Sequence, residues 1–222
     1  MDAPKNKLTI LLASGNLHKV EEIQAFFQAS GLDVTVLPAT SLDGLDENAP
    51  TFLGNAEIKA RFVLNEAQVR NATFTLGDDS GFIVEALAGH QGLADFPGVR
   101  SNRWLAGDVT HAERCRGIYD LLGDNPQRSA RFVCAMSLIQ VETGEVFSVE
   151  GVCPLWIRQD GELVGSNGFG YDPIVHYVDE QENVSPQSMA ELSLVEKTAI
   201  SHRGRALRQI FAILQTSAYA SS

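Results

Sequence analysis

The sequence predicts an α/β fold with a mixed sheet, formed as one domain over residues 1–222 with no separable linker. An unbroken apolar run, Leu8–Ala13, is typical of a strand buried on both faces. After a short polar turn, Val20, Ile23 and Phe27 recur at helical spacing. Further along, two β-prone segments flank the letters ETGE, as expected of an antiparallel hairpin. We therefore expect both parallel and antiparallel strand pairing, in one unit or in two closely joined lobes around a cleft.

The remaining elements follow from apolar periodicity and from Gly, Pro and capping signals. In the first half of the chain we predict a strand at 33–37, a helix from Thr51 to about Arg70, and strands at 73–76 and 82–87 on either side of a GDDSG turn. An irregular surface loop at 88–107 and a helix at 110–122 follow. In the second half we predict hairpin strands at 131–141 and 146–157, a strand at 174–177, a short helix opened by a Ser188–Glu191 capping box, and a helix at 204–216.

Composition narrows the possible partners. A formal net charge of −11 and a pI near 4.8 argue against a non-specific nucleic-acid binder, which needs basic excess. The apolar run near the N-terminus is too short for a signal-peptide core or a membrane span. Cys115, Cys134 and Cys153 form no metal-spaced cluster, and we expect them to be buried and reduced. These features lead us to expect a cytoplasmic protein without a membrane partner.

The stretch SGNLHK, residues 14–19, lies where the first strand turns into the first helix. Unpaired backbone N–H groups at a helix start suit phosphate. Ser14 and Asn16 would add hydrogen bonds, Gly15 would allow close approach, and Lys19 would add a full charge. The alternative is that Asn16 only caps the helix and that Lys19 is a solvated surface lysine.

The stretch GDDSGF places Asp78 and Asp79 between glycines, just after a β-prone run. Carboxylates beyond a strand end could hold Mg²⁺, or one of them could act as a general base. The acidic loop at 38–50 could supply a further ligand from Asp46 or Glu47. The alternative is an Asx-turn without chemistry. Ser80 is a poor candidate for a hydrolase nucleophile, because the G-x-S-x-G pattern is not matched.

Two later stretches could recognise a flat heterocycle. In GSNGFGYDP, Phe169 and Tyr171 flank Gly170 and precede Asp172, so that aromatic rings and an acceptor lie together. The alternative is that both rings anchor the loop in the core. In EKTAISHRGRAL, three donors lie within seven residues, and they either read a base or phosphate or form an ordinary surface patch. These donors are Lys197, His202 and Arg203.

Taken in order, SGNLHK, GNAEIKA, DDSG, FPGVRS, GFGYDPI, SMAELSLVEK and ISHRGRAL closely resemble the inosine/xanthosine triphosphate pyrophosphatase family, the house-cleaning enzymes for non-canonical purine nucleotides. The resemblance extends from about Leu8 to Ile210. It implies an elongated mixed sheet flanked by helices, two lobes with the active site in the cleft between them, and a homodimer. It also implies Mg²⁺-dependent hydrolysis of ITP, dITP and XTP to the monophosphate and pyrophosphate.

The resemblance also implies roles for the candidate residues. Ser14, Gly15, Asn16 and Lys19 would bind the triphosphate. Asp79 would activate water and contact the metal together with Glu47, while Asp46 and Asp78 are further candidate ligands. Ser80 would touch the substrate. The base pocket would be lined by Phe169, Gly170, Tyr171, Asp172, Lys197, His202 and Arg203.

The sequence departs from the family pattern at three places. Gly54 stands where the family often has an acid, and Arg100 stands where a tyrosine is common. An insertion, DEQENVSPQ, precedes SMAEL. We expect these departures to affect loop closure and the dimer surface more than the chemistry.

Overall fold

The computed structural model describes residues 7–168 and 170–220, with side chains as far as Thr216. A central mixed sheet is flanked by helices, so the predicted α/β class is confirmed. The strands of the described chain are β1 (Leu8–Leu12), β2 (Val34–Pro38), β3 (Phe74–Val84), β4 (Pro97–Gly98), β5 (Ser129–Gln140), β6 (Val146–Ile157), β7 (Val175–Val178) and β8 (Val184–Ser188). Its α-helices are α1 (Leu17–Ser30), α2 (Phe52–Phe62), α3 (Leu64–Val69), α4 (His111–Leu122), α5 (Leu194–Ile200) and α6 (His202–Ala220).

The strands form one sheet in the order β2-β1-β3-β5-β6-β7-β8, and β4 pairs with β3. β1 runs parallel to both β2 and β3, whereas β7 is antiparallel to β6 and β8. The apolar run that opens the chain therefore has a neighbour on each side. Helices cover both of its faces, which explains why it shows no alternation of polar and apolar residues.

The described residues divide into two compact units, and the chain enters each unit more than once. The first contains residues 7–79, 134–151 and 203–220. On one face of its strands, α1 and α6 pack around Ile23, Phe27 and Leu207, and on the other α3 contributes Ala67 to a smaller cluster with Leu11. Strands β1, β2 and β3 supply the apolar surface that both sets of helices cover.

The second unit contains residues 80–133 and 152–202, apart from 169. Its core brings together Phe82 from β3, Ile118 from α4, Leu155 from β6 and Tyr171 from the segment before β7. The segment at 88–107, expected to be a surface loop, contributes to this core. Phe96 is 0% exposed and Trp104 is 8% exposed. The prediction of a surface loop was wrong for these two residues, because the glycine-rich sequence around them has the composition of an exposed loop.

The largest correction concerns GDDSG. The sequence predicts a turn between two strands, but β3 continues without interruption from Phe74 to Val84 and includes both aspartates. Asp78 is 2% exposed and Asp79 is 9% exposed. Two carboxylates and two glycines are unfavourable in a strand, and the ion pairs described below compensate for their burial.

Two helix predictions also differ from the structure. The predicted helix from Thr51 to Arg70 is interrupted at Val63, although Val63 and Ala67 pack in the same cluster. The apolar pattern continues across the break and so does not reveal it. Ser188 opens no helix, and instead its N–H donates to the Glu191 carboxylate at the end of β8.

The capping box that opens the short helix lies five residues further on. Ser193 and Glu196 form both of its hydrogen bonds, and α5 begins at Leu194. Both serines are followed three residues later by Glu, so the pattern fits either position. Only the position with room for a following helix turn forms the box.

All three cysteines are free and buried, as predicted. In the part of the chain that the structure describes, no helix combines the length and apolar character needed to cross a membrane.

Gly77 lets α2 pack directly on β3. A Cβ atom at this position would lie 1.9 Å from the Ala56 carbonyl oxygen and 2.9 Å from the Ala60 nitrogen. We predict that Gly77→Ala lowers the free energy of unfolding by about 1–3 kcal/mol or more, because backbone atoms cannot yield as a side chain can. Urea denaturation measures the change. Gly15→Ala is the control, since nothing lies within 4 Å of its added Cβ. Equal stability of the two variants would contradict this packing.

Candidate active site

A carboxylate–lysine centre lies where α2 crosses β3, and it consists of Asp79, Lys59, Glu47 and Asn55. The Lys59 Nζ is 2.7 Å from Asp79 Oδ1 and 2.5 Å from Glu47 Oε2. The second Asp79 oxygen, Oδ2, accepts from Asn55 Nδ2 at 3.3 Å. Asn55 and Lys59 are four residues apart on α2, which places both on the helix face toward the strand.

Asn55 also fixes the acidic loop that carries Glu47. Its Oδ1 accepts from the Ala49 N–H at 2.9 Å. Thr51 caps the same helix by accepting from the Gly54 N–H. The loop is thereby held against the first turn of α2, with Glu47 next to Lys59.

The charges in this centre shift each other's proton affinity. Burial raises the pKa of Asp79, and nearby Glu47 raises it further, against the lowering effect of Lys59 and Asn55. Burial alone would lower the pKa of Lys59, but the charges and hydrogen bonds of Asp79 and Glu47 together outweigh that effect, and the pKa is raised. Asp79 is therefore a more basic carboxylate than an ordinary aspartate, which suits a proton acceptor.

Asp78 belongs to a separate ion cluster with Lys19, Arg203 and Glu22. Asp78 Oδ1 lies 2.6 Å from Lys19 Nζ, and Oδ2 lies 2.8 Å from Arg203 Nε. The guanidinium also binds Glu22 Oε2 at 2.9 Å. Burial raises the pKa of Asp78, but Arg203 and then Lys19 outweigh it and hold the pKa well below its ordinary value. The same pairing raises the pKa of Arg203.

Strand alternation explains why two adjacent aspartates have different partners. Successive side chains of a strand point to opposite faces of the sheet. Asp78 shares a face with Phe74 and Leu76, which pack against α1 and α6, while Asp79 points toward α2. The structure pairs Asp78 with Lys19 and Arg203, and its place as a further candidate metal ligand stays a prediction.

The predicted phosphate loop forms a tight turn before α1. Asn16 caps the helix by accepting from the His18 N–H at 3.0 Å, and Ser14 Oγ accepts from the Asn16 N–H at 3.1 Å. The capping alternative for Asn16 is therefore correct as a description of the structure. Lys19 is not a free surface lysine, because its side chain is 18% exposed and is held by Asp78. Gly15 is exposed between these residues.

The second unit contains a concave pocket, which we call the aromatic pocket. It brings together six of the predicted substrate-binding residues with others that the sequence did not single out. Its lining residues are Ser80, Gly81, Phe82, Ser101, Asn102, Phe132, Gly170, Tyr171, Asp172, Lys197 and His202. The rings of Phe82 and Tyr171 stack with centroids 4.6 Å apart and form one wall.

An ion pair lies in the wall of this pocket. Lys197 Nζ is 2.6 Å from Asp172 Oδ2, and Asp172 is 2% exposed. Gly168 is required beside them, since an added Cβ would lie 2.3 Å from that carboxylate oxygen. The pocket therefore presents a partly buried lysine donor whose charge is balanced by a neighbouring buried carboxylate.

Two predicted base-pocket residues need separate comment. Phe169 lies outside the described residues. Arg203 does not belong to the set of described residues that line the aromatic pocket, and its guanidinium instead binds Asp78 and Glu22. The family resemblance implied a base-pocket role for both His202 and Arg203, and for Arg203 that role stays a prediction.

Sequence reasoning missed Lys59, Asn55 and Glu22. A signal was available for the first two, since they fall on the apolar stripe of α2 with Phe52 and Ala56. A lysine and an asparagine on a buried helix face require partners. Glu22 gave no such signal, because an acid early in an exposed helix is ordinary.

The donor set fits Mg²⁺. Glu47 and Asp79 supply carboxylate oxygens, and both approach the same cationic Lys59 Nζ, so their charges converge on one point. Over residues 7–168 and 170–220 the structure has no cluster of three or more His, Cys, Asp or Glu side chains able to hold a metal. Mg²⁺ usually takes only one or two carboxylates, with water and substrate phosphates completing its shell. Asp46 is exposed and accepts from Asn48, and its place as a further candidate ligand stays a prediction.

A second hollow, of about 370 Å³, lies elsewhere in the second unit and is a poorer candidate for a substrate site than the aromatic pocket. It lies beside Trp156, Arg158 and His176. Arg158 is paired with Asp160 and contacts His176 Nε2, and His176 Nδ1 lies 2.7 Å from the Ser185 carbonyl oxygen. Its polar groups therefore satisfy one another, and the aromatic pocket remains the better candidate for substrate recognition.

Fold and site together define a mixed α/β protein with a buried carboxylate paired to a lysine, a second lysine beside a helix start, and a polar aromatic pocket. The chain belongs to the Ham1 family, whose model matches residues 10–213. The family resemblance seen in the sequence is thereby confirmed.

Named relatives and solved structures agree with this membership. The dITP/XTP pyrophosphatase of Exiguobacterium sibiricum is 38% identical over 94% of this chain and 98% of its own length. That of Escherichia coli K12 is 34% identical over 93% and 98%. The structure of a HAM1 protein from Coxiella burnetii is similar at a TM-score of 0.78 and 36% identity, covering 94% of this chain and 99% of that one.

Proposed function

We propose that this protein hydrolyses the non-canonical purine nucleotides ITP, dITP and XTP to the monophosphate and pyrophosphate, with Mg²⁺ as cofactor. The broader assignment rests on family membership and on relatives named dITP/XTP pyrophosphatase: the protein is an enzyme, a nucleoside triphosphate pyrophosphatase that acts on phosphoric anhydride bonds. The observation that carries the proposal is the centre in which Asp79 and Glu47 converge on Lys59.

In the proposed reaction, Asp79 accepts a proton from water as the water oxygen attacks the α-phosphorus. The bond between the α-phosphorus and the bridging oxygen breaks, and pyrophosphate leaves. Lys59 and Asn55 hold the Asp79 carboxylate in place, with one contact to each oxygen. Lys19 at the start of α1 binds phosphate oxygens and offsets their charge. Mg²⁺ bound by Glu47 and Asp79 would neutralise charge on the phosphates.

The aromatic pocket supports selectivity for 6-oxopurines. The lining of the pocket includes the aromatic residues Phe82, Phe132 and Tyr171, which suits a heterocycle, and the Lys197 ammonium can donate to a 6-oxo group. A 6-amino group would present another donor to Lys197. One N–H of the Lys197 ammonium would then face a donor instead of an acceptor, which costs about 1–3 kcal/mol, or about 5- to 150-fold in kcat/KM.

A substrate panel tests the proposal. We expect ITP, dITP and XTP to be hydrolysed with stoichiometric pyrophosphate release, ATP to be hydrolysed about 5- to 150-fold less efficiently, and activity to disappear in EDTA and return with Mg²⁺. Pyrophosphate and orthophosphate assays on each nucleotide provide the measurement. Orthophosphate as the sole phosphate product, or equal turnover of ATP and ITP, would contradict the proposal.

We also propose that the enzyme acts in the cytoplasm as a homodimer. The family resemblance supports the dimer, and the three buried free cysteines suit a reducing compartment. Sedimentation equilibrium measures the mass of the assembly. A mass near the 24.1 kDa of one chain at micromolar concentration would contradict the dimer.

A further inference from the structure

Asn102 lines the aromatic pocket, and its carboxamide makes no hydrogen bond to any residue that the structure describes. Three neighbouring side chains of the pocket, Ser101, Lys197 and Asp172, already have hydrogen-bond or ion-pair partners. Ser101 Oγ accepts from the Phe82 N–H at 2.7 Å and donates to the Gly98 carbonyl at 2.6 Å. Lys197 and Asp172 pair with each other. Asn102 is exposed and lines the pocket, so its amide is available to a ligand.

The backbone that carries Asn102 is fixed on both sides. Before it, Ser101 is buried, and its carbonyl accepts from the Tyr171 hydroxyl at 2.6 Å. After it, Trp104 is two positions away, and its Nε1–H donates to the same Tyr171 hydroxyl at 2.8 Å. Trp104 also packs edge-on against Phe96, with ring centroids 5.2 Å apart.

Tyr171 also lines the aromatic pocket, so the same residue shapes the pocket and positions the Asn102 backbone. Burial raises the pKa of Tyr171, which keeps its hydroxyl proton available for the bond to Ser101. A free amide on an anchored turn loses little backbone entropy when a ligand binds. Asn102 is therefore presented at a fixed place.

We propose that Asn102 determines substrate selectivity by hydrogen bonding to the nucleoside part of the substrate. This inference rests on the proposed function and extends it to a residue outside the predicted site. Its carboxamide offers two donors and an acceptor, which fit either the 2-oxo group of a xanthine base or the 2′-hydroxyl of a ribose. XTP, ITP and dITP differ in which of these two hydrogen-bonding groups they carry.

The three substrates separate the two sources. XTP has both the 2-oxo group and the 2′-hydroxyl, ITP has only the hydroxyl, and dITP has neither. Losing one net hydrogen bond corresponds to about a 2- to 12-fold fall in kcat/KM, expected mainly as a higher KM. For a base contact, Asn102→Ala lowers the efficiency with XTP alone. For a ribose contact, Asn102→Ala lowers kcat/KM with both XTP and ITP and leaves kcat/KM with dITP unchanged.

Asn102→Asp distinguishes the two contacts independently. If Asn102 contacts the 2-oxo group, the new carboxylate repels that oxygen, so the fall in kcat/KM with XTP is larger than for Asn102→Ala. A 2′-hydroxyl can donate to the carboxylate, so activity with ITP is retained. Asn125→Ala is the matched control, because Asn125 lies in the turn after α4 and accepts from the Gln127 N–H.

Dissociation constants for XMP, IMP and dIMP, measured by calorimetry on the same variants, separate this inference from the proposed function. If the wild type binds these products but hydrolyses none of the triphosphates, the reaction is wrong and the Asn102 test still stands on binding. An equal change with all three nucleotides, or no change, would overturn the role of Asn102. Absence of nucleotide binding by the wild type would overturn both.

Discussion

Replacing Asp79 by asparagine is expected to reduce kcat by about 10²–10⁴-fold, the usual contribution of a general base. Asparagine keeps the size of the side chain and the chance to bond Asn55, but it cannot take a proton from water. It also removes the negative charge that Lys59 Nζ meets at 2.7 Å. Initial rates of pyrophosphate release from ITP under saturating Mg²⁺ measure the effect.

The fold is expected to survive this change. Glu47 remains 2.5 Å from Lys59, so the buried lysine keeps a carboxylate partner. Asp43→Asn is the control, because Asp43 is an exposed acid of the same loop as Glu47. Circular dichroism should show all three proteins folded. Activity of Asp79→Asn within tenfold of the wild type would mean that another group accepts the proton.

Replacing Asp78 by asparagine is expected to act on stability first, lowering the free energy of unfolding by about 3–5 kcal/mol at pH 7. Asp78 is the carboxylate against which Lys19 and Arg203 are both placed, and Arg203 is 2% exposed. Removing the charge takes from the buried guanidinium the Asp78 carboxylate and leaves it the Glu22 carboxylate. Urea unfolding in Mg²⁺-free buffer measures the difference, again with Asp43→Asn as the control.

The stability contributed by Asp78 should depend on pH in a defined direction. Its folded pKa lies below the unfolded value of about 3.9. The contribution is therefore complete above about pH 4 and is lost as the pH falls through the depressed folded pKa. The stability gap between wild type and Asp78→Asn should narrow only in that acid range. A gap that narrows already between pH 7 and pH 5 would contradict the assignment.

The two variants are expected to differ in kind, although the residues are neighbours. Asp79→Asn should lose turnover and keep most of its stability, while Asp78→Asn should lose stability and, through Lys19, phosphate binding. The alternation of side chains along β3 is the physical reason, since it directs one carboxylate to α2 and the other to α1 and α6.

Sequence patterns predicted much of this fold because apolar periodicity reports directly on burial. The run at Leu8–Ala13, the helix after SGN and the hairpin strands around ETGE all form near the expected bounds. The pattern failed where polar residues are buried. GDDSG has the composition of a turn, and only its partners on other elements allow it to be a strand.

The residues of the candidate site likewise divide into those that the sequence identified and those that only the structure revealed. Motif letters identified Asp79, Glu47, Lys19 and the lysine and aspartate of the aromatic pocket, because those residue types suit phosphate, metal and base chemistry. They did not identify Lys59, whose role depends on Gly77 letting α2 approach the strand closely enough for its ammonium to reach Asp79.

By itself, the sequence determined the class of fold, the family and the chemical groups available for catalysis. These are properties of residue type and spacing along the chain. Only the tertiary structure decided which aspartate is paired with two cations and which faces Lys59 and Glu47, because pairing depends on contacts between residues far apart in sequence. The same holds for Arg203, which the chain places next to His202 and the fold assigns to Asp78.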